Sequence, residues 1–387
     1  MNGTSVKVNP DILHRRDVDV LAGTVLTEDG FLRGSVAVED GVVVDISRSV
    51  PEEALAKGVV IPAFTNAHTH IADAIVRQEL KGTLEEIVAP PRGLKHRILA
   101  AAKDEDLVGA MRGAIQTMAR TGVAGFWDFR EGGLPGLRLL LRASLGEAAV
   151  PLALGRPARI EYRRDEVDRI LRVADGIGIS SPLDWPADEA EKLAAHARRA
   201  GKVFATHCSE RVREEIDDVL DLKPRFLVHM LEATDADLER CADAGVAIVS
   251  CPRSNVFFGK VPDLPRFLRH GLTVHLGTDN AMVNSPSVLR EMEFAYKVSR
   301  LRGGLPAKDV VEMAFLGRKG LSGPPVVGVR IGEPADLVVL GIPREGDLYA
   351  GLLRAAESDI VLVMLGGRTW RRRPVVKRPR RRRRSSA

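Results

Sequence analysis

Residues 59–70 read Val-Val-Ile-Pro-Ala-Phe-Thr-Asn-Ala-His-Thr-His. The stretch opens on β-branched and apolar residues, as a strand buried on both faces does, and closes on two histidines. A strand is expected over Val59–Asn66. Seven more runs of the same kind follow, at Val123–Phe129, Val150–Arg156, Gly176–Ser180, Lys202–Cys208, Arg225–His229, Gly245–Cys251 and Leu272–Asp279. Helical periodicity lies between most of them, for example over Leu107–Arg120, Ala187–Ala200 and Asp235–Ala244. Alternating buried strands and helices imply parallel pairing through right-handed crossovers. Eight such units close into a (β/α)8 TIM barrel, expected here over residues 59–324.

Working outward, residues 1–58 hold short β-rich runs at Val18–Val25, Ser35–Val38 and Val42–Ile46, separated by Glu-Asp-Gly turns at 28–30 and 39–41. Such turns suit hairpins. Similar runs return at Ala335–Leu340 and Ile360–Leu365. The economical reading is a small β-sandwich built from both ends, residues 1–58 and 325–370, with the barrel inserted. The fold class is α/β.

The last segment, 371–387, holds ten of the 57 Lys and Arg residues and no acid, so the remaining 47 bases face 52 acids and the body has a net charge of −5. A tail of this composition is expected to be disordered. It serves either as a polyanion or nucleic-acid contact or as a solvated appendage. The 387 residues are 45% hydrophobic and 28% charged, which excludes a disordered chain. No apolar run reaches the ~20 residues of a membrane span. Three cysteines make no disulfide framework, so a cytoplasmic location is expected.

In a barrel the chemistry sits at the C-terminal ends of the strands. His68 and His70 end the first strand. Being two apart, they share a face and can reach one metal ion. His207 ends the fifth strand, His229 the sixth and Asp279 the eighth. Three histidines and a carboxylate make a shell for Zn²⁺ or Fe²⁺. Each residue also has an ordinary alternative: a surface pair for His-Thr-His, a core or capping role for His207 and His229, a helix cap for Asp279.

These segments resemble the amidohydrolase superfamily, in particular its cytosine deaminase, chlorohydrolase and S-adenosylhomocysteine deaminase branch. The resemblance rests on Pro62–His70 (PAFTNAHTH), Thr206–Glu210 (THCSE), Leu227–His229, Cys251–Asn255 (CPRSN) and Leu276–Asn284 (LGTDNAMVN), with GEPADLVVL at 332–340. It implies that His68, His70, His207 and Asp279 hold one divalent ion. It also implies that His229 hydrogen-bonds the substrate or the attacking water, and that Glu210 shuttles protons. Two-metal members carry a lysine at the end of strand four. Here that stretch is Gly-Ile-Gly-Ile-Ser-Ser (176–181), which favours a single metal. The segment after His70 lacks the branch's Trp-containing stretch, and residues 314–323 are shortened, so the substrate is left open.

The reaction this implies is hydrolytic deamination of a small aminated heterocycle of purine, pyrimidine or pterin type, with Asp279 taking a proton from the water. The alternatives are a cyclic amide or imidazolone hydrolase, and a nucleic-acid-associated protein acting through its tail. Glu210 could instead be only a first-turn acid of a helix. Asp128, Arg130, Glu131, Arg156, His96 and Arg97 lie near strand ends or in the first loop. They are expected either to contact an anionic substrate or to pair with one another. The expected partners are a small-molecule substrate and further copies of the chain in a homo-oligomer.

Overall fold

The computed structural model describes residues 18–90, 92–315 and 327–372. The first elements are β1 (Asp19–Thr27), β2 (Gly30–Glu39), β3 (Val42–Ser47) and β4 (Ala56–Pro62). β1 to β3 form the two expected hairpins. The second turns through Asp40 and Gly41, whose φ values of 49° and 78° match a two-residue turn with both central residues left-handed.

The strand expected at Val59–Asn66 is two strands, and the break changes how the molecule is assembled. β4 pairs with β1, whereas β5 (Phe64–His70) begins the barrel. Pro62 has no N–H to continue a ladder. Beyond it Ala63 N donates to Asp336 O at 2.8 Å and Phe64 N to Gly122 O at 2.8 Å, so the chain changes sheets at Ala63, a few residues past the expected 58.

The barrel continues with β6 (Val123–Arg130), β7 (Val150–Gly155), β8 (Gly176–Ile179), β9 (Val203–Cys208), β10 (Phe226–His229) and β11 (Ala247–Ser250), parallel and in chain order. The expected eighth strand is interrupted. β12 (Val274–Leu276) pairs with β11, and β13 (Asp279–Asn280) pairs with Thr69 and His70 of β5. Its two halves thereby join the last strand to the first and close the parallel sheet. Gly277 sits at the interruption because a Cβ there would lie 2.7 Å from the Cβ of His68. The seam is fastened by Asn66, whose Nδ2 donates to Thr278 Oγ1 at 2.7 Å and whose Oδ1 accepts from Thr278 N at 3.0 Å.

The helices follow their sequence signals. The helix Asp104–Arg120 starts on three acids, favourable at a helix N-terminus, and buries Leu107, Met111, Ile115 and Met118 at spacings of three and four. Inside the barrel Ala67, Trp127, Phe129, Phe226, Val228 and Val249 fill the floor beneath the strand ends.

The chain then returns as β14 (Leu337–Leu340), β15 (Ile360–Leu365) and β16 (Arg368–Arg372). With β1 to β4 these form one seven-stranded sheet in the order β16-β15-β14-β4-β1-β2-β3. Both chain ends meet in this sheet, joined by the pairing of β4 with β1 and with β14. Strict alternation gives the sheet two cores. Val59, Ile61, Val338, Leu340 and Val363 face the barrel. Val60, Leu337, Val339, Leu362 and Met364 face a second cluster with Leu21 and Val36.

Arg371 and Arg372 belong to β16, so the expected tail loses its first two residues to a strand. Residues 373–387, and the expected barrel boundary at 324, lie outside the described residues. Among the described residues no helix is long and apolar enough to cross a membrane.

Candidate metal centre and active site

β5, β9 and β13 bring His68, His70, His207 and Asp279 together, all buried, with one ligand atom of each within 4.8 Å of the others. His207 Nε2 lies 3.2 Å from His68 Nε2 and 3.3 Å from His70 Nε2. Asp279 Oδ1 is 3.2 Å from His68 Nε2 and 3.7 Å from His70 Nε2. The hydrogens decide what this means. His207 Nδ1 points at Ile179 O at 2.9 Å, and His70 Nδ1 at Phe129 O at 3.2 Å and Glu131 Oε1 at 3.0 Å. All three partners are acceptors, so both Nδ1 atoms carry the proton and both Nε2 atoms present lone pairs. Two lone pairs facing each other at 3.3 Å repel unless a cation lies between them. Tetrahedral ligands at a metal–nitrogen distance of ~2.0–2.1 Å would be ~3.3 Å apart, so the edges fit a four-ligand metal site. Burial pushes His70 down to about 3 and lowers His68 and His207, keeping the imidazoles neutral, as ligands must be.

The backbone is strained at this end. Asp279 and His229 have φ of 58° and 79°, and Ser209, beside Glu210, has 48°. Side chains in the left-handed region cost of order 1–3 kcal/mol each and cluster at functional sites. The short helix Pro252–Phe257 supplies the support. Ser254 Oγ donates to Asp279 Oδ2 at 2.6 Å, and Asn255 Nδ2 donates to His229 Nδ1 at 3.0 Å. Arg253 ties this helix to the buried Glu291, whose Oε1 accepts from Arg253 N at 2.9 Å.

His229 stands beside the four-residue cluster. Because Nδ1 accepts from Asn255, its proton is on Nε2, which lies 3.4 Å from Glu210 Oε1. Burial lowers His229 to about 4, so the ring is neutral and donates from Nε2. Burial, and then the charge of Asp279, pushes Glu210 up to about 8. Both side chains line a cleft that opens over the metal cluster.

The expected substrate residues divide. Arg156 and His96 line that cleft, and His96 Nε2 donates to Val88 O at 3.1 Å. Asp128 and Arg130 do not line it. Asp128 is fully buried behind β5, accepting from Ile71 N at 2.8 Å and Thr69 Oγ1 at 3.1 Å. Arg130 pairs with Asp128 at 3.4 Å and with Glu131. Their charges pair with one another, one of the two arrangements expected, and Arg130 also borders a neighbouring cavity lined by His96 and Arg156. Arg97 is exposed. Lys95, Asp73, Ser254 and the hydrogen bond of Asn255 were not anticipated. Ser254 and Asn255 lay in a motif but carried no role, and Lys95 sits on a short helix after β5 whose sequence gives no readable pattern.

A parallel barrel with a His₃Asp cluster at its strand ends is the arrangement of a metal-dependent hydrolase. The model of the Amidohydrolase family matches residues 59–369. The chain belongs to this family, and it is a hydrolytic enzyme acting on C–N bonds. It is 33% identical to a putative aminohydrolase of Methanothermobacter thermautotrophicus over 91% of this chain and 97% of that one. It is 24% identical to the 5-methylthioadenosine/S-adenosylhomocysteine deaminase of Pyrococcus abyssi, over 87% and 88% of the two chains. Among solved structures, a zinc-bound adenosine deaminase of Xanthomonas campestris superposes with a TM-score of 0.73 at 19% identity, covering 90% of this chain and 92% of the other.

Proposed function

We propose that the protein is a Zn²⁺-dependent aminohydrolase that removes an exocyclic amino group from a small purine-type heterocycle. The relative from Pyrococcus abyssi, named for deamination of adenine nucleosides, supports the purine class. A divalent ion held by His68, His70, His207 and Asp279 would supply an activated water at neutral pH, since metal binding lowers the pKa of water from 15.7 to about 7.

The chain's own residues do the rest. Asp279 Oδ1, at the edge of the cluster, takes the proton of the attacking water. Glu210, protonated at neutral pH, donates to a ring nitrogen of the substrate and makes the adjacent carbon electrophilic. His229 Nε2–H donates to the oxygen on which charge develops. Asp279 then hands the abstracted proton to the departing amine, while Glu210, once ionised, takes the proton of the new hydroxyl as it becomes a carbonyl, which restores both groups. Arg156, whose guanidinium has Glu131 as its carboxylate partner at 3.5 Å, lines the cleft and is placed to meet an anionic or polar substituent.

The observation that carries this reading is the Glu210 carboxyl, 3.4 Å from His229 Nε2 and facing the same cleft as the metal cluster. The test is ammonia release by the zinc-loaded protein over purines, purine nucleosides, pyrimidines and pterins. Turnover of an aminopurine compound is the expected result. Ring opening of a cyclic amide without ammonia release would replace deamination by the second amidohydrolase chemistry.

A further inference from the structure

Beside the metal cluster lies a second set of buried ionic groups to which the proposed reaction gives no role, and one of them, Lys95, lines the same cleft. Lys95 comes from the helix Leu94–Ala101, in the segment that follows β5. Its side chain is 4% exposed, with Nζ 2.8 Å from Glu131 Oε1 and 3.1 Å from Asp73 Oδ2. The same Glu131 oxygen is 3.0 Å from His70 Nδ1. Nζ is also 3.4 Å from Asn280 Oδ1. Asn280 is the register partner of His70 across the closing seam and the neighbour of Asp279. One ammonium therefore braces both strands of the seam, and it reaches His70 through a single carboxylate.

We propose that Glu131, clamped by Lys95, is a positioning residue for the metal: its carboxylate, 3.0 Å from His70 Nδ1, shares that N–H with Phe129 O, fixes the ring and strengthens Nε2 as a ligand. The inference rests on the metal-site reading above. A ligating histidine that gives its other N–H to a carboxylate is held in one tautomer and one orientation, and loss of such a partner typically costs 10–100-fold in metal affinity. A bare carboxylate at this depth would be costly. Lys95 on one oxygen and Arg130 on the other offset that cost. Lys95 thereby links the first loop, which borders the cleft, to the strength of the metal site.

Phe129 O, 3.2 Å from the same Nδ1, is the competing acceptor, and the experiment is chosen to separate the two. The full chain is stripped with a chelator and titrated with Zn²⁺ and Co²⁺ against a chromophoric competitor. Wild type is expected to bind one ion. Glu131→Gln is expected to bind it about 10–100-fold more weakly and to shift the visible bands of the Co²⁺ protein. Lys95→Met should move both readouts in the same direction by less, and Glu131→Asp should recover part of the loss. Glu214→Gln, at a buried acid of the cleft that touches no ligand, should leave affinity unchanged. Affinity within about twofold of wild type and unaltered bands in both Glu131→Gln and Lys95→Met would overturn the proposal and assign the ring to Phe129 O. If Glu131→Gln does not fold, Lys95→Met decides alone. Failure of wild type to bind an ion would instead remove the metal-site reading itself.

Discussion

Two buried polar clusters meet where Glu131 approaches His70, and they are built on opposite principles. In the first, His70 and His207 turn unprotonated nitrogens toward each other and toward Asp279. In the second, Lys95, Arg130 and Arg156 stand against Asp73, Asp128 and Glu131, cation for anion. The first is incomplete without a cation from outside, whereas the second neutralises itself. A buried charge is tolerated when it is paired, and a buried gathering of donors without protons is tolerated when it binds a metal. Proximity of polar groups is therefore a poor guide to chemistry. The sign of what faces what separates a site from a scaffold.

The difference can be broken most severely by removing a ligand. His207→Ala should abolish stoichiometric metal binding and lower turnover by about 10³-fold or more, because the ion contributes several kcal/mol and each 1.36 kcal/mol is tenfold. Metal content by elemental analysis, together with ammonia release, reads both.

Glu210→Gln leaves the cluster intact. It should keep one ion per chain and lose roughly 10²–10⁴-fold in turnover, the usual contribution of a positioned acid or base. The pH profile sharpens this. Wild-type kcat/KM should fall as pH rises through about 8, where Glu210 gives up its proton, and the variant should lack that limb.

In the second cluster the expected effect is on stability. Arg130→Met leaves Asp128 and Glu131 short of a partner and should cost about 3–5 kcal/mol in denaturant unfolding, while the chain still binds its ion. An equal loss of metal and stability would erase the distinction between the clusters.

The smallest effect is expected from Asn255→Leu. It frees His229 to change tautomer, which at about 1–3 kcal/mol for a lost buried hydrogen bond corresponds to roughly a 5–150-fold drop in kcat, with metal affinity retained.

Much of this was legible in the residues. His68 and His70 two apart at a strand end, His207 and Asp279 at two others, and Glu210 three beyond His207 all stand where the reading placed them. So do the hairpins at the N-terminal end. The interruption of the eighth strand was not legible, because Gly277 and Thr278 are constrained by contact with His68 and Asn66, more than 200 positions away. Nor was the division of the acidic and basic residues. Asp128 and Arg130 follow one strand and Arg156 follows the next, and nothing local states that only Arg156 lines the metal cleft.

What the sequence determined by itself was the kind of chemistry available. Metal-ligating side chains at strand ends and alternation of period two follow from bonding geometry within a few residues. What only the tertiary structure decided was the seam and the pairing of charges. His68 and His207 are 139 residues apart, and they meet because the barrel closes. Lys95 reaches Glu131 because a loop folds over the first strand. Burial then makes each such meeting either neutral or reactive, since electrostatic interactions sharpen where water is excluded.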